Sequence, residues 1–145
     1  MSMKRALFSA VIAATMVYSG VASAQMKAMV YKSPYCGCCE GYVAHLEKEG
    51  FSVVIKNVEN MGPVKRSMRV PDELASCHTM VIGGYIVEGH VPLAAVERLL
   101  AEKPDIIGIA LAGMPLGSPG MNGDKAGPFK IYAITEAGPK LYMEL

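Results

Sequence analysis

Four cysteines carry the reactive chemistry of this chain, and three of them, Cys36, Cys38 and Cys39, fall within four residues. The fourth, Cys77, stands directly before His78. Cys36 and Cys39 make a C-x-x-C pair with a third thiol, Cys38, inside it. At a helix N-terminus, free backbone N–H groups and the helix dipole favour thiolate over thiol. A thiolate attacks disulfides and also binds soft metal ions, so the pair alone leaves both chemistries open. Its neighbours tilt the balance toward metal. A dithiol enzyme needs one attacking and one resolving cysteine, and an adjacent third thiol invites mispairing. For a metal site the same thiol is one more ligand, able to bridge two ions. Cys77 and His78 add a thiolate and an imidazole, and Met114 and Met121, in the segment AGMPLGSPGM, add thioethers. Thiolate, thioether and imidazole together suit Cu(I). Zinc is the rival ion, because three cysteines and one histidine can close a tetrahedral site. The adjacency of Cys38 and Cys39 makes joint ligation of one tetrahedral ion awkward, whereas Cu(I) accepts two or three thiolates and shares them between ions.

These groups lie far apart in sequence, so the fold must gather them. Residues 26–31 (MKAMVY) read as a strand closed by Ser33-Pro34. Residues 40–49 read as a helix, with Cys39, Tyr42, Val43 and Leu46 on one face and Gly50 as its stop. The β-branched run 51–58 is a second strand, and residues 60–70 are a weak second helix containing Gly62-Pro63. Two short apolar strands, 79–82 and 85–87, flank Gly83-Gly84 as a tight hairpin. Pro92 opens an amphipathic helix through Leu93, Val96, Leu99 and Leu100 that ends before Pro104. Residues 106–111 are apolar and of open type, 113–128 form a mobile Gly- and Pro-rich loop, and 129–135 with 140–145 make a terminal hairpin.

The order βαβ, weak helix, ββα is that of an α/β, thioredoxin-like fold with a C-terminal β-hairpin extension, spanning residues 25–145 as one domain. Strands one and two are expected parallel, with the hairpin strands antiparallel to them. That arrangement brings the end of strand one, the start of strand three and the end of strand four to one edge, and with them Cys36 to Cys39, Cys77 with His78, and His90. His90 is a further ligand candidate, or a residue that orients Glu88 or the helix start. His45 lies off the apolar face of its helix and is read as solvated. Thioredoxin-type enzymes usually carry a cis-proline before strand three; here that place holds Cys77 and His78.

The first 24 residues have Lys4 and Arg5, an apolar run from residue 6 to 18, and a small-residue end closing at Ala22-Ser23-Ala24. This is the pattern of a cleavable secretory signal, cut before Gln25, with an apolar run well short of the roughly 20 residues a bilayer span needs. The expected location is periplasmic. Two disulfides would suit an exported chain, but cysteines this clustered staple little of it. An iron–sulfur cluster, normally built inside the cell, fits unfolded export poorly. Without Lys4 and Arg5 the chain has twelve basic and thirteen acidic residues, net −1. That balance gives no electrostatic footprint for nucleic acid or a membrane surface.

The blocks KSPYCGCCEGYVAHLEKEGF, VPDELASCHTMVIGGYIVEGHVP and RLLAEKPDIIGIALAGMPLGSPGM together resemble the CopG-type periplasmic copper-resistance family, over roughly residues 27–121. The resemblance implies a thioredoxin-like fold, an exported location and copper handling by Cys36, Cys38, Cys39 and Cys77. His78, Met114 and Met121 match family blocks, and their ligand role is carried over from that match alone. A redox role toward copper is also implied for the type. Two functions therefore compete: a copper-binding resistance protein that holds Cu(I) in a Cys-rich site open to more than one ion and passes it to an efflux or chaperone protein; or a thiol–disulfide oxidoreductase built on Cys36 and Cys39.

Overall fold

Alternation along KAMVYK places Ala28, Val30 and Lys32 on one face of β1 (Lys27–Lys32), and all three are buried in the computed structural model, which describes residues 25–145. The expected signal segment lies outside the described residues. After β1 come α1 (Gly37–Lys48), β2 (Ser52–Asn57), α2 (Met61–Ser67), a 3₁₀ turn (Asp72–Leu74), β3 (His78–Ile82) and β4 (Tyr85–Glu88). Then follow α3 (Leu93–Glu102), β5 (Gly108–Ala110), β6 (Lys130–Ile134) and β7 (Lys140–Glu144). All seven strands join one sheet in the order β2-β1-β3-β4-β5-β6-β7.

The element order read from the sequence is present, with three differences. The first helix begins at Gly37 rather than residue 40, so Cys38 and Cys39 lie inside its first turn and Cys36 is its N-cap. No Ser, Asp or Asn marks this start; the cap is a cysteine with no side-chain cap bond. The second difference is strand direction. β3 runs antiparallel to β1, as expected, but β4 is antiparallel to β3 and hence parallel to β1. A two-residue turn must reverse the chain, and Gly83 and Gly84 supply its positive φ values, 57° and 85°. The third is the apolar stretch after α3, which forms β5 parallel to β4. It extends the sheet, so the terminal hairpin β6–β7 is docked on it through β5–β6 rather than appended.

Register decides which side chains share a face. Val30 faces Met80, Met80 faces Val87, and Val87 faces Ile109. These residues join Tyr42, Val43 and Leu46 of α1 and Ala95, Val96 and Leu99 of α3 in one core. Leu74, Ala110 and Ile134 form a smaller cluster, on the opposite parity of β5 and β6. α2 is capped by Asn60, whose side chain accepts from Gly62 N at 3.0 Å.

The segment after β5, expected as a mobile loop, is fastened at its start and again near its middle. Gly113 N donates to Ala75 O (3.2 Å), and the Ser76 hydroxyl donates to Gly113 O. Farther along, Gly120, with φ 81°, lies against the first turns of α1. A Cβ there would sit 2.9 Å from the Cys38 carbonyl oxygen and closer still to Tyr42 N. Gly41 leaves the reciprocal space, since its own Cβ would meet Gly120 O at 2.9 Å. Gly120→Ala is therefore expected to destabilise the fold by about 1–3 kcal/mol through strain and overpacking. Gly123→Ala, at φ 93° but with its nearest neighbour at 3.4 Å, should cost less. Urea midpoints of the two variants check the difference.

Candidate functional site

β1 ends at Lys32, β3 begins at His78 directly opposite it, and β4 ends at Glu88, so their loops meet at one end of the sheet. Here the fold assembles the groups singled out by type and spacing. Cys36 and Cys39 are joined by a disulfide, and Cys38 and Cys77 are free thiols. Cys38 Sγ is 3.4 Å from Cys36 Sγ and 3.8 Å from Cys77 Sγ. The sulfurs of Cys36, Cys38, Cys39 and Cys77 all lie within 4.8 Å of one another. Cys77 belongs to a second group as well, with His78 and His90: its sulfur is 3.3 Å from His78 Nδ1 and 3.0 Å from His90 Nε2. Cys39 is fully buried; Cys36, Cys38 and Cys77 are half-buried.

Both histidines are buried. His90 Nδ1 meets Pro119 O at 2.7 Å. A carbonyl only accepts, so Nδ1 carries the proton and Nε2 presents its lone pair toward Cys77 in the neutral ring. His90 does not hold Glu88: its partners are Cys77 and Pro119. His78 Nε2 is buried without a hydrogen-bond partner. Tyr42 fills the floor of the site. Its ring centroid is 4.6 Å from that of His78 and 5.6 Å from that of His90, and its hydroxyl donates to Val91 O at 2.9 Å. Burial raises the Tyr42 phenol above its ordinary range, so it stays a neutral donor.

Burial, then the neighbouring Cys38, push the Cys77 thiol up to about 12. An ionised thiol there would sit in low dielectric beside a second sulfur. Burial, then His90 and Lys65, push His78 down to about 3, and burial lowers His90. Both imidazoles are therefore neutral near pH 7, the form that coordinates metals.

Three supports were not identified from the sequence. Lys32 is fully buried, and its ammonium bonds to Ser33 O (3.0 Å) and pairs with Glu40 (2.6 Å), tying the end of β1 to the first turn of α1. Its signal was the alternation of β1, which puts a lysine on the face of Ala28 and Val30. Glu88 is fully buried and accepts from Ser76 N (2.7 Å) and Thr79 Oγ1 (2.6 Å), and it pairs with Lys65 of α2. It thereby holds the residue next to Cys77. A charged residue ending the apolar run YIVE was the available signal. The third support is Pro119, whose carbonyl no side-chain pattern announces. Met114 is 53% exposed. Met121 is half-buried and follows Gly120, which abuts α1 at Cys38 and Tyr42. His45 is half-buried on α1, away from these contacts.

The lowered His78 gives a pH prediction for metal-free protein. Between about 3 and 6.5 the unfolded chain binds a proton on this ring that the folded chain does not. The proton excess of the unfolded state makes stability fall as pH drops through that window. Urea midpoints should decline from pH 6.5 toward 3, and His78→Gln should show a shallower decline. Equal slopes would remove His78 as a contributor.

The family model described as "Protein of unknown function, DUF411" matches residues 74–121, the stretch holding Cys77, His78, His90, Met114 and Met121. No curated protein matches the chain. Two solved structures, "Copper resistance protein copG- Form 2" and "Copper resistance protein copG- Form 1", are each 39% identical to it. Each comparison covers 83% of this chain and 98% of the other, with TM-scores of 0.77 and 0.76. Identity at this level across nearly the whole length of the solved proteins extends from the fold to the family: the chain belongs to the CopG copper-resistance protein family.

Proposed function

We propose that this protein is an exported, periplasmic copper-binding protein that holds Cu(I) on Cys36, Cys38, Cys39 and Cys77 and serves copper resistance. The observation that carries the reading is the crowding of four sulfurs within 4.8 Å. Four thiolates that close repel one another strongly. Protons, a covalent S–S bond or bound cations can relieve that repulsion, and soft monovalent copper suits sulfur best. Cys77, whose thiol is held protonated by burial and by Cys38, would bind an ion by exchanging its proton for it. His78 and His90 supply neutral nitrogen beside the same sulfur, and the unpartnered His78 Nε2 marks a polar group that the protein alone leaves unsatisfied. Met114 and Met121 would contribute thioethers from the loop laid against α1. Because sulfur can bridge ions, the site would take more than one Cu(I). Zn(II) is the competing ion, served by the Cys77–His78–His90 group. An efflux or chaperone protein is the proposed recipient.

The Cys36–Cys39 disulfide favours a second reading, a thiol–disulfide oxidoreductase or a protein that cycles copper between oxidation states. In the disulfide these two sulfurs have no thiolate to give, so copper loading requires two-electron reduction. The two readings separate on turnover. A binder holds copper stoichiometrically, whereas an oxidoreductase consumes many equivalents of reductant per chain.

The test is copper per chain on protein purified anaerobically, with free thiols counted in the same sample. Reduced protein should hold one or more Cu(I) ions tightly, and the disulfide form should hold fewer. Cys36→Ser or Cys39→Ser should abolish tight binding, and Cys77→Ser should lower the affinity or the count. Unchanged stoichiometry and affinity in all three variants would sink the site. The double change Met114→Leu with Met121→Leu should weaken binding modestly; no effect would return both methionines to packing.

A further inference from the structure

Cys38 is placed to react, not only to bind. Its sulfur is 3.4 Å from Cys36 Sγ, one end of the Cys36–Cys39 disulfide, and 3.8 Å from the free sulfur of Cys77. Both separations are near contact for two sulfurs. Cys77 in turn meets His90 Nε2 at 3.0 Å, with the far nitrogen of that ring held by Pro119 O at 2.7 Å. His90 Nε2 is thus an acceptor within reach of the Cys77 proton.

We propose that Cys38 and Cys77 form a second disulfide pair, reached by internal exchange from the Cys36–Cys39 bond. In the first step the Cys38 thiolate attacks Cys36 Sγ. A Cys36–Cys38 bond forms, the Cys36–Cys39 bond breaks, the electron pair leaves on Cys39, and Cys39 takes up the proton that Cys38 released on ionising. In the second step Cys77 attacks Cys38 Sγ, its proton passing to His90 Nε2. The Cys38–Cys77 bond forms, the Cys36–Cys38 bond breaks, and the pair leaves on Cys36, which is reprotonated from His90. One disulfide is present throughout, so no outside oxidant or reductant is consumed. The exchange moves the oxidised pair from the start of α1 to a link between α1 and the segment before β3, and it frees Cys36 and Cys39 as thiols. It also withdraws Cys38 and Cys77 from any bound ion. The new bond spans 39 residues, against 3 for the old one. In the chain-entropy account the longer loop constrains the unfolded chain more, so the second isomer should melt at the higher temperature.

The inference uses the sulfurs of the copper reading but not the metal, and the experiment separates the two. Metal-free, reduced protein is oxidised with one equivalent of oxidised glutathione, freed of small thiols and held without oxygen. Samples are acid-quenched over time, alkylated and mapped by mass spectrometry. The expected result is a growing fraction with Cys38–Cys77 linked and Cys36 and Cys39 alkylated. Cys38→Ser should stop the transfer while keeping the Cys36–Cys39 bond, and His90→Gln should slow it several-fold without moving the end ratio. If Cys38 and Cys77 stay alkylatable at every time while Cys36–Cys39 persists, the exchange is overturned. In Cys38→Ser, a bond from Cys77 to Cys36 or Cys39 would overturn its route. Cu(I) titration of the same reduced sample reads the other proposal. Copper bound without transfer removes the exchange alone, and transfer without copper binding removes the copper reading alone.

Discussion

Four sulfurs packed within 4.8 Å of each other cannot all carry charge unless something positive or covalent lies between them. At a few ångströms the repulsion between two like charges is about 1 kcal/mol in water and several times larger at the effective dielectric of a protein. The rest of the site follows from that constraint. One pair is relieved by a bond, Cys36–Cys39. One thiol, Cys77, keeps its proton because burial and Cys38 raise it to about 12. The remaining way to settle the charge is a cation, and the donor set is soft. Bond, proton and metal ion are thus alternatives at the same atoms, so the proposed copper binding and the proposed thiol exchange would share one site rather than two.

Holding such a cluster together requires a frame that does not relax away from it. The frame is polar and mostly buried. Lys32, reaching Glu40 and Ser33 O, fixes the turn from β1 into α1 that carries Cys36. Glu88, accepting from Ser76 and Thr79 and paired with Lys65, fixes the entry to β3 that carries Cys77. Each buried ion is held by a second element: removing Lys65 would strand the fully buried Glu88 carboxylate, at a cost of roughly 3–5 kcal/mol, and removing the exposed Glu40 would cost less. On the opposite side, the glycine contact between Gly120 and α1 brings Pro119 O to His90. Three chain segments distant in sequence are thereby locked at one end of the sheet, with Tyr42 packed beneath both imidazoles.

The sequence discloses this architecture unevenly, and the physical reasons differ. Strong periodicity made β1, α1, α3 and the two hairpins legible, and element order alone placed Cys36 to Cys39, Cys77, His78 and His90 at one edge. The start of α1 carries no sequence mark because its cap is a cysteine rather than a residue with cap propensity. β5 shows none because three residues, Gly108 to Ala110, are too few to show a period; only pairing with Ile86 to Glu88 makes them a strand. The supporting ions are hidden for a related reason. Lys32 and Glu88 each end a strand pattern and read as polar boundary residues, yet each is fully buried. The Pro119 carbonyl was not available to side-chain reasoning at all. A backbone acceptor acquires a role only through tertiary contact, here the one that Gly120 permits.

Cys77 is where these strands of chemistry cross. It is the sole member of both donor groups, the four sulfurs and the Cys77–His78–His90 set. An ion on the sulfur side and an ion on the imidazole side would share it as a bridge. Each would then be held partly by soft thiolate and partly by its own neighbours, so the two sides need not prefer the same oxidation state of copper. The same sulfur is the one whose proton must leave before either ion binds, and the one that a disulfide to Cys38 would remove from both. Under the two proposals, a single thiol, half-buried and flanked by His90 Nε2 at 3.0 Å and Cys38 Sγ at 3.8 Å, would be protonated, bound to an ion or oxidised, each state excluding the others. In the proposed reading the control point of the protein is Cys77, outside the C-x-x-C pair that first draws the eye.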